Sequence, residues 1–248
     1  MAKILLTGAT GTIGTELTIY LKDKHDLTLV DIDFSSFPEE LQAGCKIVQA
    51  DLSEISEWEG LLDDIEYVIQ LAGEPDPEAD FYADLLDLNY KLPHNLYQEV
   101  HSAPHVKRVI FASSIHAVGA YPDNVQVKTS ETVRPNDLYG VSKAYLEALA
   151  AYHSYEHGIE SIGIRIGDYK KSTDLLADDP RGMAMYFSAE DMNHLIDCAL
   201  KAEMKQPFLL VNGISDNTFP RLDISQANAA LGYSPKDNAF EIKGHFSK

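Results

Sequence analysis

Thr7-Gly8-Ala9-Thr10-Gly11-Thr12-Ile13-Gly14 follows the apolar run Ile4-Leu5-Leu6 and opens a segment of helical character. Gly8, Gly11 and Gly14 suit a turn in which the backbone curls tightly, approaches a pyrophosphate and lets the next helix pack against the strand. The N–H groups of Thr10, Thr12 and Ile13 lie at or before the helix start, where the dipole also favours phosphate. The three-glycine pattern carries weight only with a strand before it, a helix after it and an acid ending the next strand. All three are present. The acid is Asp31, which closes Leu27-Thr28-Leu29-Val30 seventeen positions beyond Gly14 and is followed by Ile32. A carboxylate there accepts hydrogen bonds from ribose hydroxyls and repels a 2′-phosphate, and no arginine follows to reverse that choice. NAD is the expected cofactor.

Outward from this loop, strand-like and helix-like segments alternate, the pattern of an α/β doubly wound parallel sheet of the Rossmann type. Strands are predicted at Lys3–Thr7, Leu27–Asp31, Lys46–Gln49, Tyr67–Leu71, Arg108–Ala112 and Ile159–Ile166. Helices are predicted over Thr12–Lys22, Ile55–Leu62, Asp80–His101 and Leu138–His157. Beyond Gly167 the alternation weakens. Lys170–Arg181 reads as irregular, Ser188–Ala202 as a helix, Phe208–Val211 as a strand and Ile224–Leu231 as a short helix. Residues 1–166 are therefore expected to form the dinucleotide-binding domain, and 167–248 a small substrate lobe interleaved with the last sheet elements.

The 248 residues carry a formal net charge of −19. Such acidity argues against nucleic acid and against anionic membrane surfaces, both of which reward basic residues. No apolar run is long enough to span a bilayer, and the N-terminus lacks a small-residue cleavage site, so a cytoplasmic protein is expected. Fifteen lysines against five arginines fit a solvated acidic surface, with salt adaptation as an alternative. Two cysteines, Cys45 and Cys198, make neither a disulfide framework nor a metal cluster, and no metal is expected.

Chemistry is concentrated in Tyr139-Gly140-Val141-Ser142-Lys143. Side chains four apart share a helix face, so the phenol and the ammonium reach one pocket. Tyrosine ordinarily titrates near ~10, too high for a good base at neutral pH, and a nearby cation lowers that value. Lys143 and the positive nicotinamide ring of NAD are the expected cations. Ser113 and Ser114 directly follow the fifth strand, at the carboxyl edge where reacting groups collect in open parallel sheets. Ser114 is assigned to orient the substrate hydroxyl, and Ser113 to a cofactor-side or structural role. Asp51-Leu52 is placed beside the adenine, Leu71-Ala72-Gly73 against the cofactor's centre and Ile166 at the cleft end of the sixth strand. His116, two residues after Ser114, is a candidate for substrate contact or for a structural hydrogen bond. Serine hydrolysis is disfavoured, since no Gly-x-Ser-x-Gly surrounds these serines.

TGATGTIG (7–14), DLS (51–53), LAG (71–73), FASS (111–114) and YGVSK (139–143) together resemble the extended short-chain dehydrogenase/reductases, nearly end to end. FASSIHAVGAYP, RPNDLYGVSK, RIG (165–167), RGMAMYFSAED and LGYSPKDNA look most like uronate dehydrogenases and the archaeal NAD-dependent glucose-6-phosphate dehydrogenases. The resemblance implies oxidation of the anomeric hydroxyl of an anionic sugar to a lactone, with Ser114, Tyr139 and Lys143 catalytic. It implies that Arg181 clamps the anionic group, that Pro75 and Ile115 line the sugar site, and that Asn89 supports Lys143 through water. Uronate dehydrogenases carry serine at the position of Pro75 and asparagine at that of Ile115, which leaves the sugar open. A homodimer through the helices at Asp80–His101 and Leu138–His157 is a further implication. A nucleotide-sugar epimerase or dehydratase, and a non-catalytic dinucleotide sensor, are the alternatives. About 80 residues after Ile166 are few for a nucleotide-sugar domain, and a sensor has no use for a proton-transfer set.

Overall fold

The structure, a computed structural model, describes residues 1–245. Its first half runs β1 (Lys3–Thr7), α1 (Thr12–Leu21), β2 (Asp26–Asp31), α2 (Glu39–Gln42), β3 (Lys46–Gln49) and β4 (Tyr67–Gln70). A π-helical stretch, Phe81–Lys91, leads into α3 (Leu92–His101), then β5 (Arg108–Ser114), α4 (Leu138–His157) and β6 (Ser161–Ile166). The remainder is β7 (Asp168–Lys170), α5 (Pro180–Met185), β8 (Tyr186–Ser188), α6 (Ala189–Lys201), β9 (Phe208–Gly213), α7 (Ser225–Leu231) and α8 (Ala239–Ile242).

Seven strands form one parallel sheet in the order β3-β2-β1-β4-β5-β6-β9. Alternate residues of each strand serve opposite faces. Ile4, Leu6, Leu29, Ile110 and Ile162 pack with Leu17 and Leu21 of α1 and Leu195, Ile196 and Ala199 of α6. Leu5, Val30, Val68, Val109 and Phe111 pack on the other face, with Leu96 and Val100 of α3 and Leu146 and Ala150 of α4. Both faces are covered, which is why the strands read as unbroken apolar runs. The chain reverses its direction across the sheet between β1 and β4, and the crevice at their carboxyl ends is where such sheets bind ligands.

Several boundaries differ from expectation, each for a physical reason. The helix expected over Ile55–Leu62 is only a 3₁₀ turn, Ile55–Trp58, because Trp58 drops into the core. Its Nε1 donates to Leu52 O at 2.9 Å, drawing the chain back after one turn. The single long helix expected over Asp80–His101 is divided. Pro93 has no N–H for the Asn89 carbonyl and crowds it, and the preceding turns widen to i→i+5 bonds such as Leu92 N to Asp87 O. β5 extends through Ser113 and Ser114 because these residues pair with Arg165 and Ile166 of β6. The segment expected to be irregular over Lys170–Arg181 is so only in part, since Lys170 ends β7, Thr173–Leu175 makes a 3₁₀ turn and Pro180 and Arg181 begin α5; β7 pairs with β8 as a separate two-stranded parallel sheet. β9 returns the chain to the main sheet, so the last third is partly sheet and partly cap.

Candidate active site

The crevice at the carboxyl ends of β1, β2, β4, β5 and β6 is a cleft of about 550 Å³. At Gly8 the backbone has φ +69, and an added Cβ would lie 2.7 Å from Ala72 N. At Gly14 an added Cβ would collide with Gly8 O. Only glycine fits either place. The first turn of α1 carries no acidic residue, so its free N–H groups face the cleft without a competing charge. Asp31 Oδ2 accepts from Thr10 N at 2.9 Å and Oδ1 from Ile32 N at 2.8 Å, so the acid also ties the glycine loop to β2. These features fit a dinucleotide: a phosphate cradle without side chains, and a carboxylate one strand away. Of the residues assigned to the cofactor, all but Asn89 line this cleft. Glu74, in the acidic loop Glu74-Pro75-Asp76-Pro77-Glu78 that the sequence places near the site, lines it too, as do Val30, Ala50, Leu88, Leu92, Ala112, Gly167 and Tyr169, which nothing in their local sequence marks.

Ser114, Tyr139 and Lys143 meet at the inner end. β5 delivers Ser114, and the first turns of α4 deliver Tyr139 and Lys143. Asp137 caps this helix by accepting from Gly140 N at 2.6 Å. The Ser114 hydroxyl is the polar side chain that favours the Tyr139 phenolate. Lys143 is buried, and its Nζ donates to Ala112 O at 3.0 Å and sits 5.4 Å from the Tyr139 ring centroid. Burial lowers the Lys143 ammonium to about 8. Burial is also the largest influence on Tyr139 and pushes its phenol up; the Ser114 hydroxyl pulls it down, and the Asp137 and Glu74 carboxylates push it further up. The expectation that Lys143 pulls the phenol down is thus not met in the chain alone, where desolvation prevails.

A second recess of about 240 Å³ opens beside the first and is lined by Pro75, Ser114, Ile115, His116, Tyr139, Gly167, Asp168 and Met185. Every residue assigned to the sugar is therefore at this recess except Arg181. That arginine lies on the first turn of α5 with its side chain 53% exposed, 3.5 Å from Asp123. Met185, at the other end of α5, reaches the recess instead. His116 has both of the contacts considered for it, since it lines the recess and its Nδ1 lies 2.7 Å from Asp137 Oδ2.

Asn89 does not line either recess. Its Oδ1 accepts from Glu74 N at 2.7 Å, while Nδ2 donates to Glu74 O at 3.0 Å and to Ser142 Oγ at 2.9 Å. It pins the loop after β4 to α4 beside Lys143. Behind Ser114, Tyr139 and Lys143, Arg165 Nε and Nη2 each donate to Glu147 at 2.8 Å, and Ser113 Oγ donates to Glu147 Oε1 at 2.5 Å. Ser113 thus has a structural bond as well as a place on the cleft wall. Neither Asp137 nor Glu147 was singled out from sequence. The position of Asp137 just before the helix was a readable cap signal, whereas the Glu147–Arg165 pair joins two distant segments and leaves no local trace.

Residues 4–169 match the family model described as NAD dependent epimerase/dehydratase family. A NAD-dependent glucose-6-phosphate dehydrogenase of Haloferax volcanii is 33% identical, covering 96% of this chain and 95% of its own. A uronate dehydrogenase of Agrobacterium fabrum is 29% identical over 100% of this chain and 89% of its own. The crystal structure of a mutant uronate dehydrogenase from Agrobacterium tumefaciens complexed with NAD superimposes with a TM-score of 0.84 at 28% identity, covering 99% of this chain and 88% of that one. Among the described residues no group of side chains could hold a metal ion, and no helix is long and apolar enough to cross a membrane.

Proposed function

The chain belongs to the NAD dependent epimerase/dehydratase family, and from that premise we propose that it oxidises the anomeric hydroxyl of an anionic sugar, a hexuronate or a sugar phosphate, to the lactone. The observation that carries this reading is the meeting of Ser114, Tyr139 and Lys143 where the dinucleotide cleft joins the second recess. NAD is the cofactor, and when bound it accepts the hydride from the anomeric carbon. The glycine loop would hold its phosphates, and Asp31, which keeps lone pairs beside its bonds to the Thr10 and Ile32 amides, would accept from the ribose hydroxyls.

Ser114 orients the anomeric hydroxyl and Tyr139 takes its proton as the carbonyl forms. The phenol starts from a raised value, so its activation depends on cations brought close once water is excluded, the buried Lys143 ammonium among them. Lys143, at the cleft wall, would also hold the nicotinamide ribose. Pro75, Ile115 and His116 shape the sugar site. Arg181 turns from Asp123 to the anionic group of the sugar. An exposed pair at 3.5 Å costs little to break, and a guanidinium receives carboxylate or phosphate in two parallel bonds. Residues 167–248 supply the substrate lobe, except that β9 returns to the sheet and the last three residues lie outside the described chain. The same reading includes a homodimer through α3 and α4, and a place in the cytoplasm, where Cys45 and Cys198 remain thiols.

The test is net NADH formation with glucuronate, galacturonate, glucose 6-phosphate and neutral aldoses. One anionic sugar should stand out, Tyr139→Phe should lower its turnover by about 10²-fold or more, and Arg181→Ala should raise its KM with little change in the KM for NAD. Activity untouched by Tyr139→Phe would remove the assignment. Tightly held cofactor with no net reduction would mark an epimerase instead.

A further inference from the structure

The imidazole of His116 is held by something other than the loop that carries it. Nδ1 lies 2.7 Å from Asp137 Oδ2, and the other oxygen of that carboxylate accepts from Gly140 N at 2.6 Å. One side chain therefore caps the helix bearing Tyr139 and grips a ring that lines the substrate recess. Asp137 is well buried for an acid, at 14% exposure, while His116 is 32% exposed. The His116 ring meets the Tyr139 ring edge-on at 5.4 Å between centroids, and its backbone N–H donates to Ser114 Oγ at 3.2 Å. Ser114, His116 and Tyr139 thus move as one body, and Asp137 is the clasp. A carboxylate only accepts, so the proton of a neutral imidazole must sit on Nδ1, leaving Nε2 as a lone-pair acceptor. Apart from the Asp168 carboxylate and the weak thioether of Met185, no other recess-lining side chain offers an acceptor without a proton of its own.

We propose that Asp137 is a positioning residue that fixes the tautomer of His116, so that Nε2 accepts a hydrogen bond from a sugar hydroxyl next to the one that Tyr139 deprotonates. This rests on the sugar dehydrogenase reading for its substrate but not for its geometry. The bond adds to the orientation already given by Ser114. It also sets a requirement for a hydroxyl, because a recess built to accept from an O–H leaves its acceptor unpaired when the hydroxyl is missing.

Capping and clasping are separable by substitution. Serine caps a helix about as well as aspartate but is too short to reach His116. With glucose 6-phosphate and glucuronate as substrates, Asp137→Ser and His116→Ala should each lower kcat/KM about tenfold. The double variant should be no worse than His116→Ala alone, and the KM for NAD and the melting temperature should stay near those of the unaltered protein. Full activity in Asp137→Ser, or losses that multiply in the double variant, would reduce Asp137 to a helix cap and overturn the proposal. If His116→Ala fails to fold, His116→Leu, which keeps the bulk and has no acceptor, serves in its place. Nitrogen-15 NMR of His116 decides the geometry without any sugar. The unaltered protein should show Nδ1 protonated and Nε2 bare, and Asp137→Ser should lose that preference. A proton on Nε2 in the unaltered protein would sink the proposal even if the sugar screen succeeds. The expected tautomer beside a failed screen would sink only the sugar reading.

Discussion

Lys143 shows at the scale of one residue what burial does to a charge. Its ammonium is buried, with one carbonyl, Ala112 O, as its partner, and burial holds its titration at about 8 instead of 10.5. That displacement corresponds to roughly 3 kcal/mol held against the charged form. Below about pH 8 the folded chain carries the whole penalty. As pH rises from there towards 10.5 the native lysine is already neutral while the unfolded chain is still losing its proton, so the penalty fades. Lys143→Met should therefore raise the melting temperature of the cofactor-free protein at pH 7, with a gain that shrinks towards pH 10, while turnover falls by about 10²-fold or more. Calorimetry across that pH range is the measurement, and an unchanged melting temperature at pH 7 would mean that the Ala112 carbonyl compensates for the burial. Tyr139 and Lys143 were readable from sequence because helical spacing alone brings them together. The raised phenol was not, because it depends on how much chain covers the ring. Arg181 was placed by likeness rather than by geometry, and its exposed position on α5 follows from a loop whose sequence has no periodic signal.

The elements that hold these residues are fixed by polar contacts between segments far apart in the chain. α4 is pinned to the end of β5 and to β6 by Glu147, which takes two bonds from Arg165 and one from Ser113. Arg165 and Glu147 are 1% and 6% exposed, and such a pair is worth little net, yet it is costly to break from one side. Arg165→Met leaves a buried carboxylate without its cation and should cost about 3–5 kcal/mol, a fall of roughly 10 °C in melting temperature for a chain of this size. Adding Glu147→Leu removes the stranded charge and should recover most of the loss, even though Ser113 then lacks an acceptor. A double variant no more stable than Arg165→Met would mean that the pair stabilises through its bonds and not merely by mutual neutralisation. The strands themselves were plain in the sequence, since burial on both faces makes each an apolar run. The π-helical stretch was not, because its residues repeat like any helix and only Pro93 hints at the wider turns. The serines that complete β5 were missed as strand because their pairing partners lie on β6.

For the molecule as a whole, the alternation of elements foretold the doubly wound sheet, while the cap over its carboxyl edge was only sketched. β7 and β8 have three residues each, and the C-terminal segment is held by side-chain staples such as Asp191, which accepts from Lys236 N at 2.8 Å and Asp237 N at 3.1 Å. Contacts of that kind leave no periodic mark in a sequence. The charge of the chain was plain from the start, and its consequence can now be weighed against the ion pairs. Lys3–Asp64, Lys91–Asp87 and Lys107–Glu66 are short but largely exposed, and pairs of this type contribute about 0–1 kcal/mol each. Against them stands a net −19, whose mutual repulsion reaches across the molecule when salt is low. Screening shortens that reach from about 30 Å at ~0.01 M salt to about 8 Å at ~0.15 M, which relieves long-range repulsion while leaving contacts at 2.5 Å comparatively intact. The melting temperature should therefore rise between those two salt concentrations and level off beyond them. Under the proposed function, an anionic sugar approaching this acidic surface should show a lower KM over the same interval, because screening weakens its repulsion. A melting temperature that falls with salt would mean that the surface pairs outweigh the net charge. A KM that rises would mean that local cations such as Arg181, not the overall acidity, govern the approach of the sugar.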